Sequence, residues 1–201
     1  MKIAILGSGG REHALTYAIS QSKKTKKIFC IPGNAGTAKI AENLELDINN
    51  FNLIYEFIRR EEIDLVIVGP EKPLVDGIVD YLRKKNIDVF GPKKNSAMLE
   101  GSKIFTKKIC EKYKIPTANF GIFDSKKLAV QFIESAKFPL VVKADVLAAG
   151  KGVYICNNSD EAKMAINEIF NGKFGPAENI LIEEFLDGEE MSFFVISDGN
   201  N

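Results

Sequence analysis

The sequence predicts an α/β protein in two parts, a parallel-sheet domain over residues 1–98 and a mixed α+β region over residues 99–201. Three observations lead to that reading. In the first part, short apolar runs alternate with amphipathic helical stretches, the pattern of βα units joined by right-handed crossovers. Each main apolar run there ends in Gly or Pro, at the strand ends where open parallel sheets place their ligands. In the second part a hairpin pattern around a glycine-rich turn replaces the alternation.

The elements follow in order. Residues 2–6 (KIAIL) predict a strand, Gly7-Ser8-Gly9-Gly10 a tight turn, and the next stretch a helix burying Ala14, Leu15, Ala18 and Ile19. A second strand, Lys27–Ile31, runs into Pro32-Gly33-Asn34-Ala35-Gly36. Phe51–Arg60 predicts a helix with Leu53, Ile54, Phe57 and Ile58 as its buried stripe. Leu65–Val68 is a continuous apolar strand ending in Gly69-Pro70-Glu71; Leu74–Lys85 reads as one helix and Asp88–Phe90 as a strand before Gly91-Pro92. In the second part Ser102–Tyr113 predicts a helix that Ile115-Pro116 ends, because a residue before Pro leaves helical space. Asn119–Phe123 reads as strand, Ser125–Ala136 as helix and Pro139–Lys143 as strand. Ala148-Ala149-Gly150-Lys151-Gly152 then leads into strand Val153–Cys156. Ser159–Phe170 reads as a helix capped by Ser159, and Asn179–Leu186 and Met191–Ser197 as two further strands.

Composition narrows the function classes. A hydrophobic fraction of 45% with 27% charged residues is that of an ordinary soluble globular protein. Lys plus Arg and Asp plus Glu each number 27, so the chain lacks the basic excess that a nucleic-acid partner calls for. No apolar run approaches the roughly 20 residues that span a bilayer, and MKIAILGSGG lacks the apolar core and cleavage site of a signal peptide. The three cysteines, Cys30, Cys110 and Cys156, are scattered and read as reduced packing residues. A cytoplasmic protein without membrane or nucleic-acid partner is expected.

Several motifs carry two readings. Glycines in the Gly7–Gly10 turn let a phosphate approach the helix N-terminus, yet tight βα turns also need Gly on steric grounds. The dinucleotide fingerprint is broken: Glu12 stands where G-x-G-x-x-G needs its third Gly, and Ile31-Pro32 stands where a ribose-binding carboxylate would end the second strand. His13, the only histidine, has no nucleophile or metal set beside it and is given no chemistry. Glu71 at a strand end either reaches a ligand hydroxyl or amine, or is a charge favoured by a helix dipole. Lys143 ends an apolar strand, and Lys151 sits between glycines eight residues later. A strand-borne charge with a glycine-flanked Lys above it can hold a triphosphate, although no Walker A sequence is present. Ile180–Leu186 (ILIEEFL) ends in paired carboxylates, either an edge for adenine and ribose or a solvated sheet edge.

Together, GSGGREH (7–13), PGNAGTA (32–38), VGPEKP (68–73), LEGSKIFT (99–106), KADVLAAGKGV (143–153) and EEFLDGEE (183–190) resemble, in order and spacing, the phosphoribosylamine–glycine ligase family of the ATP-grasp superfamily. The resemblance runs along the whole chain. It implies a Rossmann-like pre-ATP-grasp domain followed by an incomplete ATP-grasp domain, in which residues 119–186 would form a mobile lid over ATP. It implies the purine-synthesis reaction of glycine, 5-phosphoribosylamine and ATP to glycinamide ribonucleotide, ADP and phosphate through glycyl phosphate. A monomer is expected, though no motif fixes the oligomeric state. By motif, Lys103 and Lys143 would hold ATP phosphates; Ala148, Ala149, Gly150, Lys151, Gly152 and Val153 would close on them. Glu183, Glu184, Phe185 and Leu186 would edge the adenine and Glu190 would meet the ribose. Gly9, Gly10, Arg11, Pro32, Gly33, Asn34, Ala35, Gly36 and Glu71 would face phosphoribosylamine. No single catalytic side chain is assigned, and the ligands for Mg²⁺ or Mn²⁺ are expected beyond Asn201, so the chain alone is expected to be inactive. Two alternatives stand beside the ligase: an ATP-binding module without catalysis, and a dinucleotide-dependent oxidoreductase, which Glu12 and Ile31-Pro32 disfavour.

Two expectations attach to the glycine loop. Lys143→Ala should weaken ATP binding more than Lys151→Ala, because a loop charge must first be ordered. Position 146 is Val where the family pattern has Gly. Either its backbone lies in the β region and redirects the loop, or it is strained at positive φ; Val146→Gly is expected to tighten ATP binding, with little gain in thermal stability.

Overall fold

The structure, a computed structural model, describes residues 1–147 and 151–196. The chain divides into two compact units, residues 1–108 and 109–201, each built on its own sheet.

The first unit is a five-stranded parallel sheet in the order β3-β2-β1-β4-β5. Its strands are β1 (Lys2–Gly7), β2 (Lys27–Pro32), β3 (Glu42–Asn43), β4 (Leu65–Val68) and β5 (Val89–Phe90). Between and after them come helices α1 (Gly10–Ser20), α2 (Phe51–Glu61), α3 (Glu71–Asp76), α4 (Ile78–Arg83) and α5 (Lys94–Gly101). The strands are apolar on both faces because helices cover both. One face, with Ala4, Leu6, Phe29, Ile31, Val66 and Val68, packs on Ile54, Phe57 and Ile58 of α2 and Ile78, Val79 and Leu82 of α4. The other, with Ile3, Ile5, Ile28, Cys30 and Ile67, packs on Leu15 and Ile19 of α1.

Several expectations change here. Residues 74–85 are not one helix: Gly77, at φ 99°, breaks them into α3 and α4, a backbone angle that glycine adopts without steric cost. On α1 the buried positions are Glu12 and Thr16; Ala14 and Ala18 are exposed, and Leu15 and Ile19 are half-buried. Leu53 of α2 is likewise exposed, leaving Ile54, Phe57 and Ile58 as the buried stripe. Helix α5 had no expectation, since its sequence KNSAMLEG lacks a helical apolar stripe.

Helix α6 (Lys103–Tyr113) runs from the first unit into the second. The second unit is a four-stranded antiparallel sheet in the order β6-β9-β7-β8. Its elements are β6 (Phe120–Phe123), α7 (Lys126–Glu134), β7 (Leu140–Ala144), β8 (Val153–Cys156), α8 (Ser159–Phe170) and β9 (Ile180–Glu184). Ala129 and Ile133 of α7 and Ala162, Ala165, Ile166 and Ile169 of α8 cover one face, against Leu140, Val142, Ala144, Cys156, Ile180 and Ile182. Strand alternation sends Val141, Lys143, Leu181 and Glu183 to the opposite face.

The cap of α8 is Asn158, whose side chain accepts from the Glu161 N–H (3.0 Å), one residue earlier than Ser159. Strand β9 ends at Glu184, so Phe185 and Leu186 lie beyond it. Residues 191–196 are not a strand: among the described residues none pairs with them, and Met191, Phe193, Phe194, Val195 and Ile196 are at least 77% exposed. Strand propensity without a hydrogen-bonding partner does not make a strand. Ser197, the end of that expected strand, lies outside the described residues.

Candidate functional site

In the first unit the candidate residues gather at the C-terminal ends of β1, β2 and β4, where the sheet order reverses direction around β1. Backbone bonds hold the three loops together as they leave the sheet: the Gly33 N–H donates to the Gly7 carbonyl and the Gly69 N–H to the Leu6 carbonyl, each at 3.1 Å. Asn34 then ties the second loop to the first, its Nδ2 donating to the Ser8 carbonyl (2.9 Å) and the Gly9 carbonyl (3.2 Å). Arg11 ties the first loop to the third, donating from Nη1 to the Gly69 carbonyl and from Nη2 to Glu71 Oε1 (2.9 Å). The structure thus brings Gly9, Gly10, Arg11, the Pro32–Gly36 turn and Glu71 to one edge. His13 packs its ring over Gly36, where an added Cβ would stand 2.7 Å from Cε1.

Glu71 is held below the usual carboxylate range, first by its own backbone N–H at the start of α3 and next by the Arg11 side chain. A carboxylate with a depressed folded-state pKa adds stability above its unfolded pKa, and that stability is lost as pH falls through the folded value. Arg11→Met should therefore move the Glu71 titration up only part of the way, because the amide of α3 remains. A carboxyl-carbon NMR titration checks this; full reversion to the free value would show that Arg11 alone sets it.

Glu12 is the residue that sequence reasoning undervalued. It is 4% exposed, and its Oε2 accepts from the Gly9 N–H (2.5 Å). An added Cβ would lie 1.9 Å from Glu12 Oε1 at Gly69 and 2.7 Å from Glu12 Cδ at Gly7. A carboxylate therefore fills the crevice that the third glycine of a dinucleotide fingerprint leaves open. The available signal was the glycine at each of the three positions around it.

In the second unit Lys143 and Glu183 form an ion pair, Nζ to Oε1 2.9 Å, with the Lys side chain 26% and the Glu side chain 6% exposed. Val141 is paired with Glu183 and Lys143 with Leu181, so the two charged residues are diagonal neighbours on one face. Glu184 has a different partner: its carboxylate accepts from the Asn119 N–H and from Asn119 Nδ2, both at 2.9 Å. The paired carboxylates thus divide, one holding a lysine and one tying β6 to β9. Beside Lys143, the Ala144 N–H donates to the Gly152 carbonyl (2.8 Å), closing the loop between β7 and β8. Gly152 has φ 77°, and Ala144 Cβ and the Phe174 ring lie 3.3 and 3.4 Å from where its Cβ would be. Lys151 and Val153 are exposed; Ala148, Ala149 and Gly150 lie outside the described residues. Phe185, Leu186 and Glu190 are exposed beyond β9, and Lys103 opens α6, half-buried. Among the described residues no three His, Cys, Asp or Glu side chains converge as a metal site, so no chemistry through a metal is derived on these residues.

Val146 is not strained. The non-glycine residues with positive φ among those described are Glu62, Asn86 and Lys114, and Val146 packs half-buried on the apolar core of its unit. Val146→Gly should therefore leave ATP affinity unchanged and lower stability by about 1 kcal/mol through lost packing and a freer unfolded chain. Titration and melting of both forms check it; tighter ATP binding by the glycine form would restore the strain reading.

An open parallel sheet with glycine-containing loops at its switch point, followed by an antiparallel sheet that presents a paired lysine beside a glycine-flanked loop, is the arrangement of an ATP-grasp protein. Residues 1–100 match the family model for the phosphoribosylglycinamide synthetase N domain, and residues 101–201 that for its ATP-grasp (A) domain. The chain belongs to the phosphoribosylglycinamide synthetase family. It is 49% identical over 200 residues to phosphoribosylamine–glycine ligase of Mesorhizobium japonicum, covering 99% of this chain and 47% of that one. The crystal structure of phosphoribosylamine–glycine ligase from Thermotoga maritima superposes with a TM-score of 0.76 at 31% identity, over 94% of this chain and 45% of that one. The fold alone is shared with the biotin carboxylase domain of Hydrogenobacter thermophilus 2-oxoglutarate carboxylase, solved with MgADP and bicarbonate: TM-score 0.70, 20% identity, over 92% of this chain and 44% of that one. The chain spans about half the length of the curated relatives it matches. No helix among the described residues is long and apolar enough to cross a membrane.

Proposed function

We propose that the chain forms the amine-substrate and ATP-holding part of a cytoplasmic ligase that joins glycine to 5-phosphoribosylamine. ATP phosphorylates the glycine carboxylate to glycyl phosphate; the amine of phosphoribosylamine then attacks that carbonyl and displaces phosphate, giving glycinamide ribonucleotide. The observation that carries the ATP half is the Lys143–Glu183 pair beside the Gly152 turn. Glu183 orders Lys143 on a rigid strand, so its ammonium meets a triphosphate without losing much side-chain entropy. The loops around Arg11, Asn34 and Glu71 support the phosphoribosylamine half, a polar rim at the switch point of the first sheet. We place the division of labour at residues 1–98 and 99–201, with 119–186 as the part that moves over the nucleotide.

Calorimetric titration of the chain with ATP–Mg²⁺ and with NADH tests the reading. Binding of ATP and not of NADH is expected, since Glu12 occupies the dinucleotide crevice. The opposite outcome would sink it.

A further inference from the structure

Asn34 lies in the turn that faces the proposed phosphoribosylamine, yet its side chain has no capacity left for a ligand. A carboxamide has two N–H donors and two acceptor lone pairs. In Asn34 the donors go to the Ser8 and Gly9 carbonyls, and Oδ1 accepts from the Gly36 N–H (2.7 Å) and the Thr37 N–H (3.0 Å). Its main chain is engaged as well: the Asn34 N–H donates to Thr37 Oγ1 (2.7 Å), and Asn43 Nδ2 donates to the Asn34 carbonyl (2.8 Å). Asn43 also accepts, through Oδ1, from the Thr37 hydroxyl (2.8 Å).

Asn43 stands on β3, a strand of two residues at the edge of the described sheet, paired with β2. It reaches the turn because Gly33 has no side chain: at φ 76°, an added Cβ there would lie 2.4 Å from Asn43 Oδ1. Thr37 is fully buried and Asn43 and Asn34 are half-buried, so the bonds among these three residues are partly sheltered from water, while the two Asn34 Nδ2 bonds to the first loop lie at the exposed rim.

We propose that Asn43, acting through Thr37 and Asn34, is a positioning residue that sets the Ser8–Gly10 loop for the phosphoribosyl group. The inference rests on the reading of these loops as the phosphoribosylamine side of the site. The chain of contacts runs from Asn43 to the 33–37 turn and from Asn34 Nδ2 to the Ser8 and Gly9 carbonyls, so the edge strand fixes where the backbone of the first loop lies. A loop already held in its bound geometry loses little freedom when the ligand arrives, and affinity follows from that order. Asn43 touches no ligand in this scheme.

The probe is ribose 5-phosphate, titrated into the chain by calorimetry, with ATP–Mg²⁺ as the control ligand and the backbone amides of Ser8, Gly9 and Gly10 followed by NMR. Thr37→Val keeps side-chain volume and removes the hydroxyl; Thr37→Ser keeps the hydroxyl; Asn43→Leu removes both amide bonds at similar size. Thr37→Val and Asn43→Leu should each weaken ribose 5-phosphate about fivefold or more, as one or two lost hydrogen bonds do. Both should shift the Ser8 and Gly9 amides before ligand is added, with ATP affinity unchanged and Thr37→Ser like the wild type. Affinity inside that margin, or unmoved Ser8 and Gly9 amides, overturns the positioning role. Parallel loss of ATP affinity does so too, because it marks general unfolding. Failure of the wild type to bind ribose 5-phosphate overturns the assignment of the site itself, a distinct result from wild-type binding that the variants retain.

Discussion

Lys143→Met should lower both the stability of the second unit and its affinity for ATP. The substitution takes from the Glu183 carboxylate, 6% exposed, its 2.9 Å lysine partner on β7. Breaking a buried pair by removing one member costs about 3–5 kcal/mol, and we expect about 2–3 here because a quarter of the lysine side chain is solvated. For a unit of this size that corresponds to a melting temperature lower by about 10 °C or more. The double replacement Lys143→Met with Glu183→Leu removes both charges and should recover most of that stability, since an apolar pair of similar volume avoids the desolvation cost. It should not recover ATP binding, because the ammonium is still absent. Lys151→Ala should weaken ATP less than Lys143→Met, as Lys151 is exposed and must be ordered on binding. Melting curves and calorimetry on the four forms separate the two effects. An unchanged melting temperature for Lys143→Met would show that the pair has no net worth; unchanged ATP affinity would move the phosphates elsewhere.

Gly69→Ala should disrupt the first unit through Glu12. The new methyl would stand 1.9 Å from Glu12 Oε1, in a crevice where the carboxylate is 4% exposed and bonded to the Gly9 N–H. Either the strand end moves or Glu12 leaves and the Gly9 amide loses its acceptor. Overpacking of 1–3 kcal/mol together with the lost cap gives about 2–4 kcal/mol. The loop carrying Gly9 and Gly10 shifts with it, so ribose 5-phosphate binding should fall as well. Adding Glu12→Ala removes the clash, and the double variant should be more stable than the sum of the two single losses by about 1 kcal/mol or more. Strict additivity in denaturant unfolding would mean that Glu12 and Gly69 are not coupled.

Both effects turn on contacts between residues far apart in sequence, and this is where sequence reading stopped. Lys143 was legible as a charge on the end of an apolar strand, and alternation decides which face a residue takes once its strand is known. That Glu183 shares the face, diagonally across from Lys143, follows from the Val141–Glu183 register, which no local pattern specifies. Glu12 was legible only as a departure from a glycine fingerprint, since nothing in GSGGREH states that Gly69 opens a space for its carboxylate. Asn43 gave no signal at all; it matters because Gly33, ten residues earlier, leaves room for it. Gly77 was a readable helix stop, but the apolar stripe on either side concealed it.

What the sequence determined by itself was the alternation of strands and helices in the first unit, the hairpin pattern of the second, and the order of the family motifs along the chain. These depend on periodicity, turn chemistry and spacing, which act over a few residues and survive without a partner in space. Tertiary structure decided which of two adjacent carboxylates pairs with Lys143, that Glu12 is buried, that Val146 is unstrained, and that residues 191–196 form no strand among the described residues. Burial, strand pairing and ion pairing are relations between segments, and their free energy exists only once the segments have met.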